Sequence, residues 1–264
     1  MDTYTHGHAD AVLQSHRWRT VDNSAAYLAP SLRPGLDVLD VGCGPGTITV
    51  DLAERVAPGR VVGIDASADP LDEARALAAE RGVDVTFEVG DVYALEAADA
   101  SFDVVHAHQV LQHLTDPVAA LREMARVCRP GGVLAVRDVD YATFVWWPDD
   151  AGLDRWLDLY SRVARRNDAE PDAGRRLLAW AHAAGLRDVT ATTSSWCYSS
   201  PAEREWWGNS WAGRATGSSF AEQALAYGLA TREELESIAD AWRRWRDADD
   251  GWLSMTHGEL LIRL

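Results

Sequence analysis

Lysine is absent: all 25 basic residues among the 264 are arginine. Without it there is no Schiff-base chemistry, no pyridoxal phosphate anchor and no lysine for a phosphate-binding P-loop. Cysteine is scarce. Cys43, Cys128 and Cys197 lie too far apart for a metal knuckle and are odd in number for a disulfide framework, so no metal and a reducing, cytoplasmic setting are expected. No apolar run reaches 18 residues, and the opening residues lack the charged-then-apolar build of a signal peptide. Positive charge is also short. Residues 1–141 carry 11 Arg against 22 Asp and Glu, and residues 142–264 carry 14 against 19, for a net charge of −16. A duplex or an anionic bilayer would be repelled, so neither nucleic acid nor membrane is expected as a partner.

What is present fits one large domain, at roughly 100–200 residues per domain. Short β-branched runs alternate with stretches of helical period between residues 36 and 140, the pattern of a parallel sheet covered by helices. Strands are expected at 36–41, 60–64, 84–89, 102–106 and 133–138. Helices are expected at 47–56, 68–81 and 117–128, the last with Asp116 as N-cap and Pro117 at its first position. Upstream, residues 9–32 form an amphipathic leader with a helix over 24–32. Downstream the character changes, because 11 of the 12 tryptophans follow residue 141. Helices at 151–166 and 172–184 precede a strand at 188–198, a largely helical stretch over 201–248 and a closing strand at 252–263. Within that stretch, residues 208–219 are rich in glycine and serine and read as a mobile lid edge.

Asp40-Val41-Gly42-Cys43-Gly44-Pro45-Gly46-Thr47 sits where the first strand hands over to the first helix. Glycines there let the backbone pass close to a ligand, and a helix N-terminus offers free N–H groups. A dinucleotide fingerprint needs a third glycine at residue 47, where this chain has Thr. Asp40 would repel a diphosphate but suits a ligand bearing an ammonium or sulfonium. Asp65 ends the second strand, where a carboxylate takes both hydroxyls of a ribose, and Asp91 follows the third, where it would accept from an adenine amino group. Three acids at three successive strand ends point to one ligand beyond the carboxyl ends of the sheet.

These segments together resemble the class I S-adenosylmethionine-dependent methyltransferases, in particular the small-molecule group that includes the quinone-biosynthesis C-methyltransferases. LDVLDVGCGPGTITVDLA resembles the family's first motif, VVGIDAS its ribose motif and VGDVYAL its adenine motif; SFDVVHAHQVLQHL and LREMARVCRPGGVLAVRD resemble its fourth and fifth strand segments. The likeness covers about residues 34–140. It implies an α/β, Rossmann-like, doubly wound sheet of seven strands, the last antiparallel, with a helical cap insert. The expected organisation is a single domain, with lid helices over 1–33, a cofactor core over 34–140, and the remaining strands and Trp-rich cap over 141–264, the main insert spanning 199–250. The cofactor implied is S-adenosylmethionine, leaving as S-adenosylhomocysteine. By position, Asp40, Gly42 and Gly44 would hold its methionine part, Asp65 and Ala66 the ribose, Asp91 and Val92 the adenine, and the backbone around Ala107 and His108 would border the methyl. Trp18 and Arg19 of the leader would cover the cofactor and pair with its carboxylate.

Methyl transfer is an in-line displacement, so the site must mainly hold and aim the nucleophile. A base is needed only when the acceptor carries a proton that leaves early. His108 and His113 are the first candidates; His106, Asp138, Asp140 and Tyr141 stand nearby in sequence. The tetrapeptide (D/N/S)-P-P-(Y/F) of amino-methylating nucleic acid enzymes is absent, and the acceptor is expected to be a small, planar or hydrophobic molecule, natural-product or quinone-like. Tyr141, Trp146, Trp207 and Trp211 would wall it. The alternative is a protein of the same fold that binds the cofactor yet catalyses a cyclisation or rearrangement.

Overall fold

The computed structural model describes Thr5 and residues 17–264. Hydrophobic runs of four to seven residues, buried on both faces, make the middle of the sheet: β1 (Val38–Val41), β2 (Val61–Asp65) and β4 (Phe102–His108). β3 (Thr86–Val89), β5 (Cys128–Trp147), β6 (Asp188–Tyr198) and β7 (Trp252–Arg263) complete seven strands in the order β3-β2-β1-β4-β5-β7-β6. The first five run parallel; β7 is antiparallel to both β5 and β6. Chain order reverses between β1 and β4, which opens a crevice beyond their carboxyl ends.

The helices cover both faces. After α1 (Val21–Ser24), helix α2 (Thr47–Val56) buries Ile48, Leu52 and Val56 against one face with Val38, Val104 and Ala135; α3 (Leu71–Arg81) packs Ala74 and Ala78 on Phe87. On the other face, α4 (Pro117–Val127) buries Leu121 and Met124, joined by Leu177 and Ala181 of α6 (Leu177–Ala183). Asp116 does cap α4, accepting from the Ala119 amide at 2.9 Å.

A second core lies beyond the sheet. There α5 (Ala151–Arg166), α7 (Pro201–Gly217), α8 (Ser219–Ala226) and α9 (Arg232–Asp247) meet around Trp156, whose ring centroid stands 4.5 Å from Trp211 and 4.8 Å from Trp242. Most of the late tryptophans therefore pack this cap. Its floor is the projecting ribbon of β5 and β7, still paired at Trp147 and Trp252.

Four expectations need correction. β5 does not stop at residue 138: Tyr141, Phe144 and Trp146 carry it into the cap. At the irregularity between Asp140 and Val145, the Thr143 hydroxyl accepts from the Thr256 amide at 2.9 Å and donates to the Asp140 carbonyl at 2.6 Å, replacing a missing ladder bond. The helix expected over 24–32 is instead the four-residue α1, a bend and turn over 25–28, and a 3-10 turn at Ala29–Ser31 whose Pro30 has no N–H to continue an α-helix. The first turn of the helix expected over 172–184 is 3-10, Ala173–Arg176, because Gly174 lies against β7, where a Cβ would fall 2.9 Å from the Gly258 nitrogen. Residues 208–219 are no lid edge. Most form the second half of α7, and Gly208 serves close packing, since a Cβ there would stand 2.7 Å from Arg246 Cβ on α9. Residues 9–16 of the leader, and 1–4 and 6–16 of the expected lid, lie outside the described residues.

Candidate functional site

The turn after β1 is built by glycines that a side chain would obstruct. Gly42, Gly44 and Gly46 have φ of +69°, +53° and +78°, and a Cβ on Gly42 would fall 2.4 Å from Val110 Cγ2. Amides of Gly42 and Cys43 both donate to the Ile64 carbonyl, at 2.8 and 2.9 Å, which fastens the loop to β2. Next along, the Gly44 amide donates to Asp65 Oδ2 and the Ser67 amide to Asp65 Oδ1, each at 3.0 Å. These two amides fix the orientation of the Asp65 carboxylate at the end of β2, where it lines the cavity. Asp91 accepts from the Tyr93 amide at 2.9 Å and sits exposed at the rim.

These groups line one end of a cavity of about 820 Å³. Asp40, Gly42, Gly44, Asp65, Ala66, Asp91 and Val92 belong to this end, on the β3-β2-β1 side of the sheet. At the other, Val139, Tyr141 and Phe144 of β5 and Met255 of β7 face Trp207, Trp211 and Arg214 of α7. Positions 207, 211 and 214 are spaced i, i+4 and i+7 and share one helix face. Arg19, His108, Gln109 and His113 also line the wall, and Arg19 Nη2 donates to Gln109 Oε1 at 2.7 Å.

The acids and histidines divide by partner. Asp40 is buried: Oδ1 pairs with His106 Nδ1 at 2.7 Å and Oδ2 accepts from the Thr49 hydroxyl at 2.6 Å. Expected as a direct ligand of the methionine part, it already ties β1, β4 and α2 together, which is a positioning task. His106 is fully buried and off the cavity wall. His108 is on that wall with neither ring nitrogen hydrogen-bonded among the described residues; burial, reinforced by Arg19 and Arg137, holds it well below the usual imidazole range. His113 Nε2 accepts from the Gln112 side-chain amide at 2.8 Å, and burial lowers its pKa to about 3. Both imidazoles are therefore neutral at physiological pH. Behind them Asp138 is fully buried, accepts from the Gln112 amide at 3.1 Å and is pushed up to about 7 by burial. Asp140 is clamped by Arg175 at 2.5 and 2.7 Å and is no free base.

Two expected residues stand off the wall. At Ala107 the expectation concerns the backbone; its side chain is buried on the sheet face opposite His108. Trp18 packs edge-on against Trp196 at 5.4 Å, drawn there by a larger aromatic surface formed with Tyr198 and Trp206. Trp146 packs toward Trp156 at 6.4 Å, because strand alternation points it away from the Val145 side and into the cap core. Conversely, Gln109, Val139, Phe144 and Met255 line the cavity without having been singled out. Nothing local marks them, although strand alternation from Tyr141 would have reached Val139.

A family model described as a methyltransferase domain matches residues 32–189. An uncharacterized methyltransferase of Schizosaccharomyces pombe is 32% identical over 270 residues, covering 98% of this chain and 96% of its own. The ubiquinone/menaquinone biosynthesis C-methyltransferase UbiE of Bdellovibrio bacteriovorus is 44% identical over 104 residues, 39% of this chain and 44% of that protein. Among solved structures, the YcgJ protein of Bacillus subtilis superposes with a TM-score of 0.57 at 18% identity, covering 90% of this chain and 97% of its own. The [4+2]-cyclase SpnF does so with 0.50 at 24% identity, covering 96% and 80%.

Proposed function

Since the chain belongs to the S-adenosylmethionine-dependent methyltransferases, we propose that it methylates a small, planar or hydrophobic acceptor enclosed between β5, β7 and α7. One observation carries this reading: a single cavity runs from the glycine turn and strand-end acids to a wall of aromatic rings. When bound, S-adenosylmethionine supplies an electrophilic methyl on a sulfonium. The chain's own part is to hold and to aim. Asp65 and Ala66 would take the ribose, Asp91 and Val92 the adenine, Gly42 and Gly44 the methionine part through their backbone, and Arg19 its carboxylate. Tyr141, Phe144, Trp207 and Trp211 would exclude water and fix the acceptor's plane.

His108 would receive a proton between the two ends; His113, whose Nε2 already accepts from the Gln112 side-chain amide, would do so only by giving up that bond. Their burial keeps the free imidazole form, but it also disfavours the imidazolium, so each would act late, as the acceptor's own proton becomes acidic on methylation. A fold shared with SpnF keeps the non-methylating alternative as the second reading. Titration calorimetry should show S-adenosylhomocysteine binding at a micromolar Kd, about −8 kcal/mol. Incubation with S-adenosylmethionine and a panel of aromatic acceptors should then yield S-adenosylhomocysteine in proportion to methylated product. Binding of NADH in its place would overturn the cofactor; an acceptor transformed without S-adenosylhomocysteine release would establish the alternative.

A further inference from the structure

Gln109, just past the end of β4, has φ of +55°, a left-handed conformation that a Cβ disfavours and that glycine or asparagine would take at less cost. Its backbone amide donates to the Arg137 carbonyl of β5 at 2.7 Å, which fastens the residue to the sheet. From there the side chain lines the cavity and forms two hydrogen bonds of opposite sense. Oε1 accepts from Arg19 Nη2 at 2.7 Å, and Nε2 stands 2.9 Å from His257 Nε2. A guanidinium can only donate, so the amide oxygen faces Arg19, the NH2 group faces His257, and His257 accepts at Nε2. That imidazole is a fixed partner: fully buried on β7, it lies 4.4 Å from the Trp196 ring and stacks on His108 at 6.3 Å. Burial, with Arg137 and Arg19, holds it well below the usual imidazole range, as a neutral acceptor requires. An ionised carboxylate at 109 could accept from Arg19 but not donate to His257, and a cationic side chain could donate but not accept.

We infer that Gln109 is a positioning residue of the transfer site: its amide, braced against His257, sets the Arg19 side chain on the cavity wall and through it the affinity for the cofactor. This rests on the reading above, in which Arg19 belongs to the cofactor's site, and names what places that arginine there. Arg19 has other contacts, the Trp196 ring among them at 5.8 Å, and the amide adds direction to them because a hydrogen bond is directional where a ring face is broad. The leader on either side is held by bonds that do not involve Gln109. Arg17 pairs with Glu73 of α3 at 2.5 and 2.9 Å, and the Asn23 carbonyl accepts from Trp196 Nε1 at 2.8 Å. Breaking the Gln109 link therefore loosens the Arg19 side chain and leaves the flanking chain in place. The strained backbone at 109 persists because only a side chain of this length and polarity spans the two partners.

The experiment uses the full chain and two substitutions. Gln109→Asn takes left-handed backbone readily and keeps an amide, but is one methylene too short to span Arg19 and His257; Gln109→Gly removes the side chain and serves should the first variant fail to fold. Trypsin reads the tether without any cofactor, because it must take the arginine side chain into its own pocket. In digests resolved by mass, cleavage after Arg19 should quicken about ten-fold over the parent, the scale of one lost charge-assisted hydrogen bond, while cleavage after Arg17 keeps its rate. By calorimetry, S-adenosylhomocysteine should weaken about ten-fold on the same scale. Tm should stay within about 3 °C of the parent's, because relief of the backbone offsets the lost bonds. Arg19→Gln should weaken S-adenosylhomocysteine by a similar factor, and adding Gln109→Asn to it should weaken it no further, since Gln109 acts through Arg19. Parent rates of cleavage after Arg19, parent affinity in both Gln109 variants, effects that multiply in the double variant, or a fall in Tm beyond that range would each overturn the assignment. Failure of the parent to bind S-adenosylhomocysteine would instead overturn the cofactor reading, and the digests would still decide whether Gln109 holds Arg19.

Discussion

The two ends of the cavity are built on different principles. At the glycine-turn end the wall is largely backbone: three glycines with positive φ, amides directed at the Ile64 carbonyl and at Asp65, and acids placed at strand ends by parallel register. At the aromatic end it is side chain, supplied by two strands and a helix that are distant in sequence, over a core of tryptophans. A backbone-built site tolerates few residue types and so leaves a spacing that can be read. A side-chain-built wall can be remade by changing single rings, which is how one fold comes to serve many acceptors.

The sharpest way to break this contrast is to empty the cap core. Trp242→Ala removes a fully buried indole packed on Trp156 and should cost about 3–5 kcal/mol of stability, read as a drop in Tm and in the denaturation midpoint. The folded fraction should still bind S-adenosylhomocysteine with little change. A loss under about 1 kcal/mol would mean that the cap is not packed as described.

A smaller effect, at the other end, comes from Asp65→Ala. Loss of two charge-assisted hydrogen bonds to a ribose should weaken S-adenosylhomocysteine by about 2 kcal/mol, roughly 30-fold by calorimetry. Equal affinity in variant and parent would remove Asp65 from the ribose role and leave the glycine turn as a purely structural feature.

The most modest change at neutral pH concerns Asp138, which lies behind the boundary between the two ends. Its pKa is raised by burial to about 7, so the folded state holds the proton more tightly than the unfolded chain. That contribution to stability is fully present below the ordinary carboxyl pKa of about 4 and is lost as the pH rises through about 7. Asp138→Asn, which keeps an oxygen for the Gln112 amide, should flatten the fall in Tm between pH 5 and 8. An unchanged slope would assign the pH dependence to other groups.

Tryptophan shows how far composition could be carried. Eleven of twelve fall after residue 141, which announced a distinct aromatic region, yet not which rings meet a ligand. Trp211 both lines the cavity and is 1% exposed in the cap core, Trp146 only packs, and Trp207 does both with its N–H unpaired among the described residues. Periodicity could not separate these roles, because a ring facing a core and a ring facing a cavity produce the same pattern. The helix spacing of Trp207, Trp211 and Arg214 is written in the chain, but the glycines and serines over 208–219 read as a mobile lid edge where the structure has close helix packing.

By itself the sequence determined the sheet and the place of each strand, though not every end, since β4 runs on to His108 and β5 already starts at Cys128, together with the glycine turn and Asp65 and Asp91 beyond it. Each of these is written by local rules: β-branched runs, caps and positive-φ glycines act within a few residues of themselves. Only the tertiary structure decided that β5 and β7 run on as a ribbon into the cap, that Asp40 is paired with His106, and that Arg214 and Trp207 stand across from Tyr141 and Phe144. Those arrangements depend on pairings between residues tens to more than a hundred positions apart, and a contact at that range leaves no period and no spacing in the chain that makes it.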